Sequence, residues 1–315
     1  MKKRCILLLL AALLLFSIGV SAEENRYVQV FDTAEDAGNL SIRFLWLGPQ
    51  VPEAEDKPGD CMILTSPDGK VMVLDAGHPL SSAYVAAALE TMGVKRIDYL
   101  VASHPHIDHI GGFPALMENY EIGAVYTSAL EYTSSSYYRA YMDELAARGI
   151  EHVFLKEGDV LMFGEQVRVD VLNPTADAPT TADGQKNRTE FINNQSLALK
   201  FTYGESTMML AGDLYVGGEK AIAQRWGEML DCDVMKANHH GANTSSSKAW
   251  RDAVSPQITF ITSDVIEDMS IAKKYTKNGQ KMYHTLLDGC ILMRTSGSRD
   301  YTVLTEKDRT TNMFD

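Results

Sequence analysis

Apolar residues along this chain fall into two rhythms: short β-like runs, and longer stretches with apolar positions three and four apart. The first rhythm predicts strands at 40–47, 61–65 (CMILT), 70–75 (KVMVLD), 97–102 (IDYLVA) and 123–127. It continues at 152–155, 159–163, 167–172, 196–202, 206–211, 233–237, 258–262 and 290–294. The second predicts helices at 81–92, where Tyr84, Val85, Ala88, Leu89 and Met92 recur at helical spacing, and at 136–148 and 216–229. SPDG at 66–69 is a turn and makes 61–75 a hairpin. No repeat period appears, and strands interleaved with helices place the chain in the α/β class. Residues 173–193 (NPTADAPTTADGQKNRTEFIN) are polar and aperiodic, which fits a lid or binding loop and a merely mobile loop equally well. Residues 49–58 form a shorter acidic loop.

The first 22 residues break from this pattern. Lys2, Lys3 and Arg4 precede an apolar run from Ile6 to Phe16, and Val20-Ser21-Ala22 supplies small residues for cleavage. That is the form of a secretory signal peptide, and the run is shorter than the roughly 18–20 residues of a spanning helix. Residues 1–22 are therefore expected to be removed, leaving 23–315 as one secreted domain outside the cytoplasm, with an uncleaved anchor as the alternative. Losing those three basic residues from 29 leaves 26 against 42 acidic ones, a balance of −16. Such a surface disfavours passive nucleic-acid binding, which relies on clustered Lys and Arg. Cys61, Cys232 and Cys290 remain, each in an apolar setting, and an odd number cannot form a complete disulfide framework. Buried thiols are the plainer expectation.

Candidate chemistry gathers at strand ends. SHPHIDHIGG at 103–112 follows the strand IDYLVA and holds His104, His106, Asp108 and His109, in a chain with 8 histidines among 315 residues. His104 and His106 can turn the same way and share one ion, while Asp108 and His109 can serve a second. Imidazole with carboxylate suits zinc, with manganese or iron as alternatives. MMLAGDL at 208–214 puts Asp213 at another strand tip, where its two oxygens can bridge two ions or, more plainly, cap the following helix. VMKANHHG at 234–241 runs into His239 and His240, one expected as a ligand and the other as its support or facing substrate. His78 reads as a loop histidine, His152 as starting a strand and His284 as part of a C-terminal hairpin, all three structural.

The ordered set of Asp75 in VMVLDAGH, HPHIDH, AGD and HHG resembles the metallo-β-lactamase superfamily of metallohydrolases. GDCMIL (59–64), NNQSLALKF (193–201), HHGANTSSS (239–247) and HTLLDGCILMRTSG (284–297) are similar to its ComEC-like, competence-type branch and to secreted phosphorylcholine esterases, over about residues 40–297. The resemblance implies a four-layer αβ/βα sandwich with two divalent metal ions at one edge. It implies His104, His106 and Asp213 around one ion, and Asp108, His109, Asp213 and His239 or His240 around the other. Asp75 would orient the histidine loop without being a ligand. The segment FINNQSLALKF lacks the histidine that many members supply there; Asn193, Asn194 and Ser196 occupy it, as substrate or supporting contacts or as plain backbone caps.

These readings lead to metal-assisted hydrolysis by a hydroxide shared between two ions, with Asp108, Asp213 and His240 as catalytic groups. The expected substrate is a phosphodiester or phosphoester, in DNA or a cell-wall component. Carbonyl hydrolysis of a lactone or β-lactam is the second enzyme reading, and a non-catalytic binding module keeping the fold is the third.

Overall fold

The structure is a computed structural model and describes residues 26–50 and 58–309. The expected signal peptide and residues 51–57 of the acidic loop lie outside the described residues.

Six strands in succession build one sheet: β1 (Leu40–Phe44), β2 (Cys61–Thr65), β3 (Val71–Ala76), β4 (Arg96–Val101), β5 (Glu121–Thr127) and β6 (Glu151–Phe154). The next seven build a second: β7 (Val160–Phe163), β8 (Val167–Asn173), β9 (Ala198–Tyr203), β10 (Ser206–Ala211), β11 (Val234–Lys236), β12 (Ile258–Ile261) and β13 (Lys281–His284). The chain then returns to the first sheet with β14 (Ile291–Thr295) and β15 (Thr302–Thr305), giving the orders β15-β14-β1-β2-β3-β4-β5-β6 and β13-β12-β11-β10-β9-β8-β7.

Strand alternation sorts side chains into three apolar layers. Leu40, Ile42 and Phe44 of β1 and Met62 and Leu64 of β2 point between the sheets, where they meet Val169, Phe201, Met208, Leu210 and Phe260. Cys61 and Ile63 point the other way, towards Val85 and Leu89 of helix 82–91, Phe113 and Leu116 of helix 113–119, and Tyr141 of helix 136–148. Met209 and Ala211 turn outwards from the second sheet onto Ile222 of helix 216–226 and Trp250 of helix 248–254. Helices thus cover both outer faces, and the architecture is the expected four-layer αβ/βα sandwich. One charge inside it is paired: Arg43, fully buried in β1, reaches Asp36 at 2.9 Å and the carbonyls of Val30 and Asp32. The three thiols, Cys61, Cys232 and Cys290, are buried and free.

The hairpin over 61–75 is present as the antiparallel β2–β3 pair. Three features differ from the sequence reading. β13 and β15 were not predicted, because KMYH and TVLT carry too few apolar residues to show alternation. His284 ends β13 in the second sheet, so it is not in a hairpin with 291–295, which pairs in the first. The loop at 173–193 closes into helix Arg188–Asn194, bridges Thr181 to Glu131, and accepts hydrogen bonds from Thr133 and Ser134 on Asp183.

What the topology does for function is to align strand ends. β3, β4 and β5 are mutually parallel, as are β10, β11 and β12. The C-terminal ends of β3 and β4 carry Asp75 and the histidine loop, and those of β10 and β11 carry Asp213 and the histidine pair. Among the described residues, no helix is long and apolar enough to cross a membrane.

Candidate metal centre

Asp75 closes β3 with a left-handed backbone, φ 58°, which turns its carboxylate back under the next strand end. Oδ1 accepts from the Ser103 backbone N–H at 2.7 Å, and Oδ2 accepts from the Ser103 hydroxyl at 2.7 Å. Oδ2 also lies 2.8 Å from His109 Nδ1, which fixes that ring with Nε2 facing away from Asp75. Burial is the main influence on Asp75 and pushes its carboxyl up despite His109.

The histidine loop leaves β4 through Ser103 and enters a one-turn helix at 107–110, placing Asp108 in its first turn. His104 and His106 turn towards each other, with Nε2 of one 2.9 Å from Nδ1 of the other. Burial lowers the basicity of both rings, so they present neutral nitrogens. His109 Nε2 stands 3.3 Å from Asp213 Oδ2 and 3.8 Å from Asp108 Oδ2.

Asp213 sits at the centre. It is 3 % exposed, its backbone N–H donates to Ser196 Oγ at 3.0 Å, and Oδ2 has four imidazoles around it. Those are His109 at 3.3 Å, His240 at 3.4 Å, His239 at 3.8 Å and His104 at 4.0 Å. Asp213 Oδ1 is buried and has no hydrogen-bond partner among the described residues. Burial would raise this carboxyl, but His240 and His109 hold it well below the usual range. The reciprocal effect appears on the imidazoles. Burial would depress them, yet Asp213 and its neighbouring carboxylates raise His109 well above its ordinary value and His240 to about 10. A buried carboxylate ringed by imidazoles draws positive charge to this point, as a divalent cation's donors do.

The pair His239-His240 follows β11 in a tight turn, both residues at positive φ (45° and 55°). Glu219, from helix 216–226, pins this turn by accepting from Asn238 Nδ2 and the backbone N–H groups of Ser246 and Ser247. The two rings part: His240 turns inwards, while His239 packs against Tyr215 and contacts the Thr244 hydroxyl. Both rings still reach Asp213 Oδ2, His240 at 3.4 Å and His239 at 3.8 Å, but their surroundings differ. Ligand atoms of His109, Asp213, His240 and Asp60 all lie within 4.8 Å of one another.

Not every candidate faces this pocket. Ser196 supports Asp213, as above, and Asn193 is buried beside His106. Asn194 does not face the centre: its Oδ1 accepts from the backbone N–H groups of Tyr215 and Gly218, at 3.0 and 3.2 Å, so it caps helix 216–226. These bonds match the plain backbone cap weighed for it in the sequence. His78 caps the 79–81 turn through Leu80, His152 contacts Thr127 and His284 caps the turn at Leu286, and none of the three belongs to the donor group.

A model of the metallo-β-lactamase superfamily matches residues 54–261. This chain belongs to that superfamily. Two curated relatives resemble it within the superfamily. Competence protein ComA of Neisseria gonorrhoeae is 26% identical over 212 residues, which cover 66% of this chain and 26% of that protein. ComE operon protein 3 of Bacillus subtilis is 24% identical over 221 residues, covering 65% and 27%. The chain therefore spans about a quarter of the length of each relative, and these matches support its likeness to the superfamily's competence-type branch. Among solved structures, a metallo-β-lactamase of Cronobacter sakazakii aligns with a TM-score of 0.39 at 17% identity, over 61% of this chain and 76% of that one. As a superfamily member with a convergent buried donor group, the chain is a metal-dependent hydrolase in the coarse sense.

Asp60 was missed as a site residue. Its signal was an acid directly ahead of an apolar strand, in GDCMIL, matched by a lysine inside the apolar strand of VMKA. Each also has an opposite charge three residues away, Lys57 before Asp60 and Asp233 before Lys236, so nothing local marks the long-range pair.

Proposed function

We propose that this chain is a secreted binuclear metallohydrolase of phosphodiester or phosphoester bonds, acting on a nucleic acid or a cell-wall component. The observation that carries the reading is the ring of imidazoles around buried Asp213 Oδ2. His104, His106 and Asp213 would hold one divalent cation, and Asp108, His109, Asp213 and His240 the other, with zinc the expected metal and manganese or iron the alternatives. Bound there, such ions supply Lewis acidity and make water acidic near neutral pH. The residues around them orient and exclude. Asp75 and Ser103 set the His109 ring, Ser196 holds the Asp213 backbone, and His239 stands beside Tyr215 to hold a proton for the leaving oxygen. Two features bear on the substrate, the first suiting any anion and the second departing from the commoner histidine-bearing pattern. Arg188 stacks on Tyr132, 5.1 Å from its centroid, and the Tyr132 ring is 6.3 Å from that of His106, so a guanidinium borders the histidine loop. FINNQS also brings no imidazole to the first cation, as in the competence-type branch that the sequence resembles.

The test is a substrate panel on zinc- and manganese-loaded protein: bis-p-nitrophenyl phosphate, single-stranded DNA, p-nitrophenylphosphorylcholine and nitrocefin. Phosphodiester cleavage that chelator abolishes, with nitrocefin untouched, is expected. Nitrocefin turnover without phosphodiester cleavage would transfer the assignment to carbonyl hydrolysis.

A further inference from the structure

Asp60 and Lys236 are both fully buried, and no step above uses either. Asp60 leads into β2 of the first sheet and Lys236 ends β11 of the second, yet Nζ lies 2.6 Å from Asp60 Oδ2. Two further Nζ contacts, both 3.3 Å, go to the carbonyls of Ala211 and Ala237. The other carboxylate oxygen, Oδ1, accepts from the Thr262 hydroxyl and lies 3.1 Å from His240 Nδ1. His240 Nδ1 also lies 2.9 Å from the Thr262 carbonyl oxygen.

Both neighbours of Nδ1 are acceptors, so that nitrogen must carry hydrogen. Nε2 is then the atom turned to Asp213, at 3.4 Å. Asp60 falls within the same donor group by distance, but its oxygens are engaged by Lys236, Thr262 and His240. A buried ion pair is no better for stability than an apolar pair of the same volume; what it can add is direction. We infer that Asp60, held by Lys236, is a positioning residue that, together with the Thr262 carbonyl, fixes the His240 tautomer and aims Nε2 at the metal centre from the opposite sheet. The inference rests on the metal-centre reading above.

The experiment is zinc titration against a chromophoric chelator, on wild type, Asp60→Asn and the double variant Asp60→Leu/Lys236→Met, with thermal unfolding of each metal-free protein. The double variant removes both charges together and is expected to unfold close to wild type, yet to bind one zinc about 10–100-fold more weakly. Asp60→Asn, whose amide oxygen can still accept from Nδ1, is expected to show a smaller loss at the same site. Folded variants that bind zinc as tightly as wild type would overturn the inference while leaving the metal centre standing. If the double variant does not fold, Asp60→Asn decides by the same criterion. Wild-type protein that takes up no zinc would instead bring down the metal-centre reading, and this inference with it.

Discussion

Asp213→Asn is expected to lower phosphodiester turnover by about 10²–10³-fold, the scale of losing one preorganised electrostatic group, while the protein stays folded. The substitution keeps the side-chain volume and leaves the backbone N–H donating to Ser196 Oγ. What it removes is the negative charge on the oxygen ringed by His104, His109, His239 and His240. An amide is a weaker ligand for a divalent cation than a carboxylate, and it cannot offer two equivalent oxygens to two ions. Metal content should therefore fall alongside activity. The check is turnover, metal content and a circular-dichroism melt on one preparation; a folded variant with full activity would refute the central place of Asp213.

A comparable effect is expected at Asp75, though that residue touches neither substrate nor cation in this account. Its two oxygens satisfy the Ser103 N–H, the Ser103 hydroxyl and His109 Nδ1, all in the buried interior. Asp75→Ala leaves those groups unpaired and also forces alanine to φ 58°, so a destabilisation of about 3–5 kcal/mol is expected. Asp75→Asn separates orientation from folding. Asparagine tolerates the left-handed backbone and fills the same space, but its NH₂ must face one of three groups that now meet an acceptor. Zinc affinity should fall about 10–100-fold with a smaller change in melting temperature. Equal zinc affinity in Asp75→Asn and wild type, measured by chelator competition, would show that the carboxylate has no part in orienting His109.

How much of this was legible in the sequence depended on the range of each interaction. The hairpin over β2 and β3 showed itself because apolar alternation and the SPDG turn are local. The histidine loop stood out because four potential ligands lie within a few residues. Asp213 was legible as a strand-tip acid, and the architecture aligned it with the loop through parallel strands in two different sheets. By contrast, the split between His239 and His240 comes from a turn at positive φ that Glu219 holds from a neighbouring helix, which no local pattern reports. Asp60 escaped notice because its partners His240 and Thr262 are 180 and 202 residues away. Asn194 looked like a site residue from its position in FINNQS, yet the next helix claims its side chain as a cap. β13 and β15 escaped because an edge strand with one solvent-facing side needs little apolar sequence.

The most direct test of the account is the metal stoichiometry of the purified wild-type chain, measured by inductively coupled plasma mass spectrometry after zinc loading and desalting. The proposed binuclear centre predicts close to two bound ions per chain, removed together with hydrolytic activity by a strong chelator and restored with it on re-addition. A chain that retains no divalent metal, or that hydrolyses its substrates unchanged after complete metal removal, would contradict it.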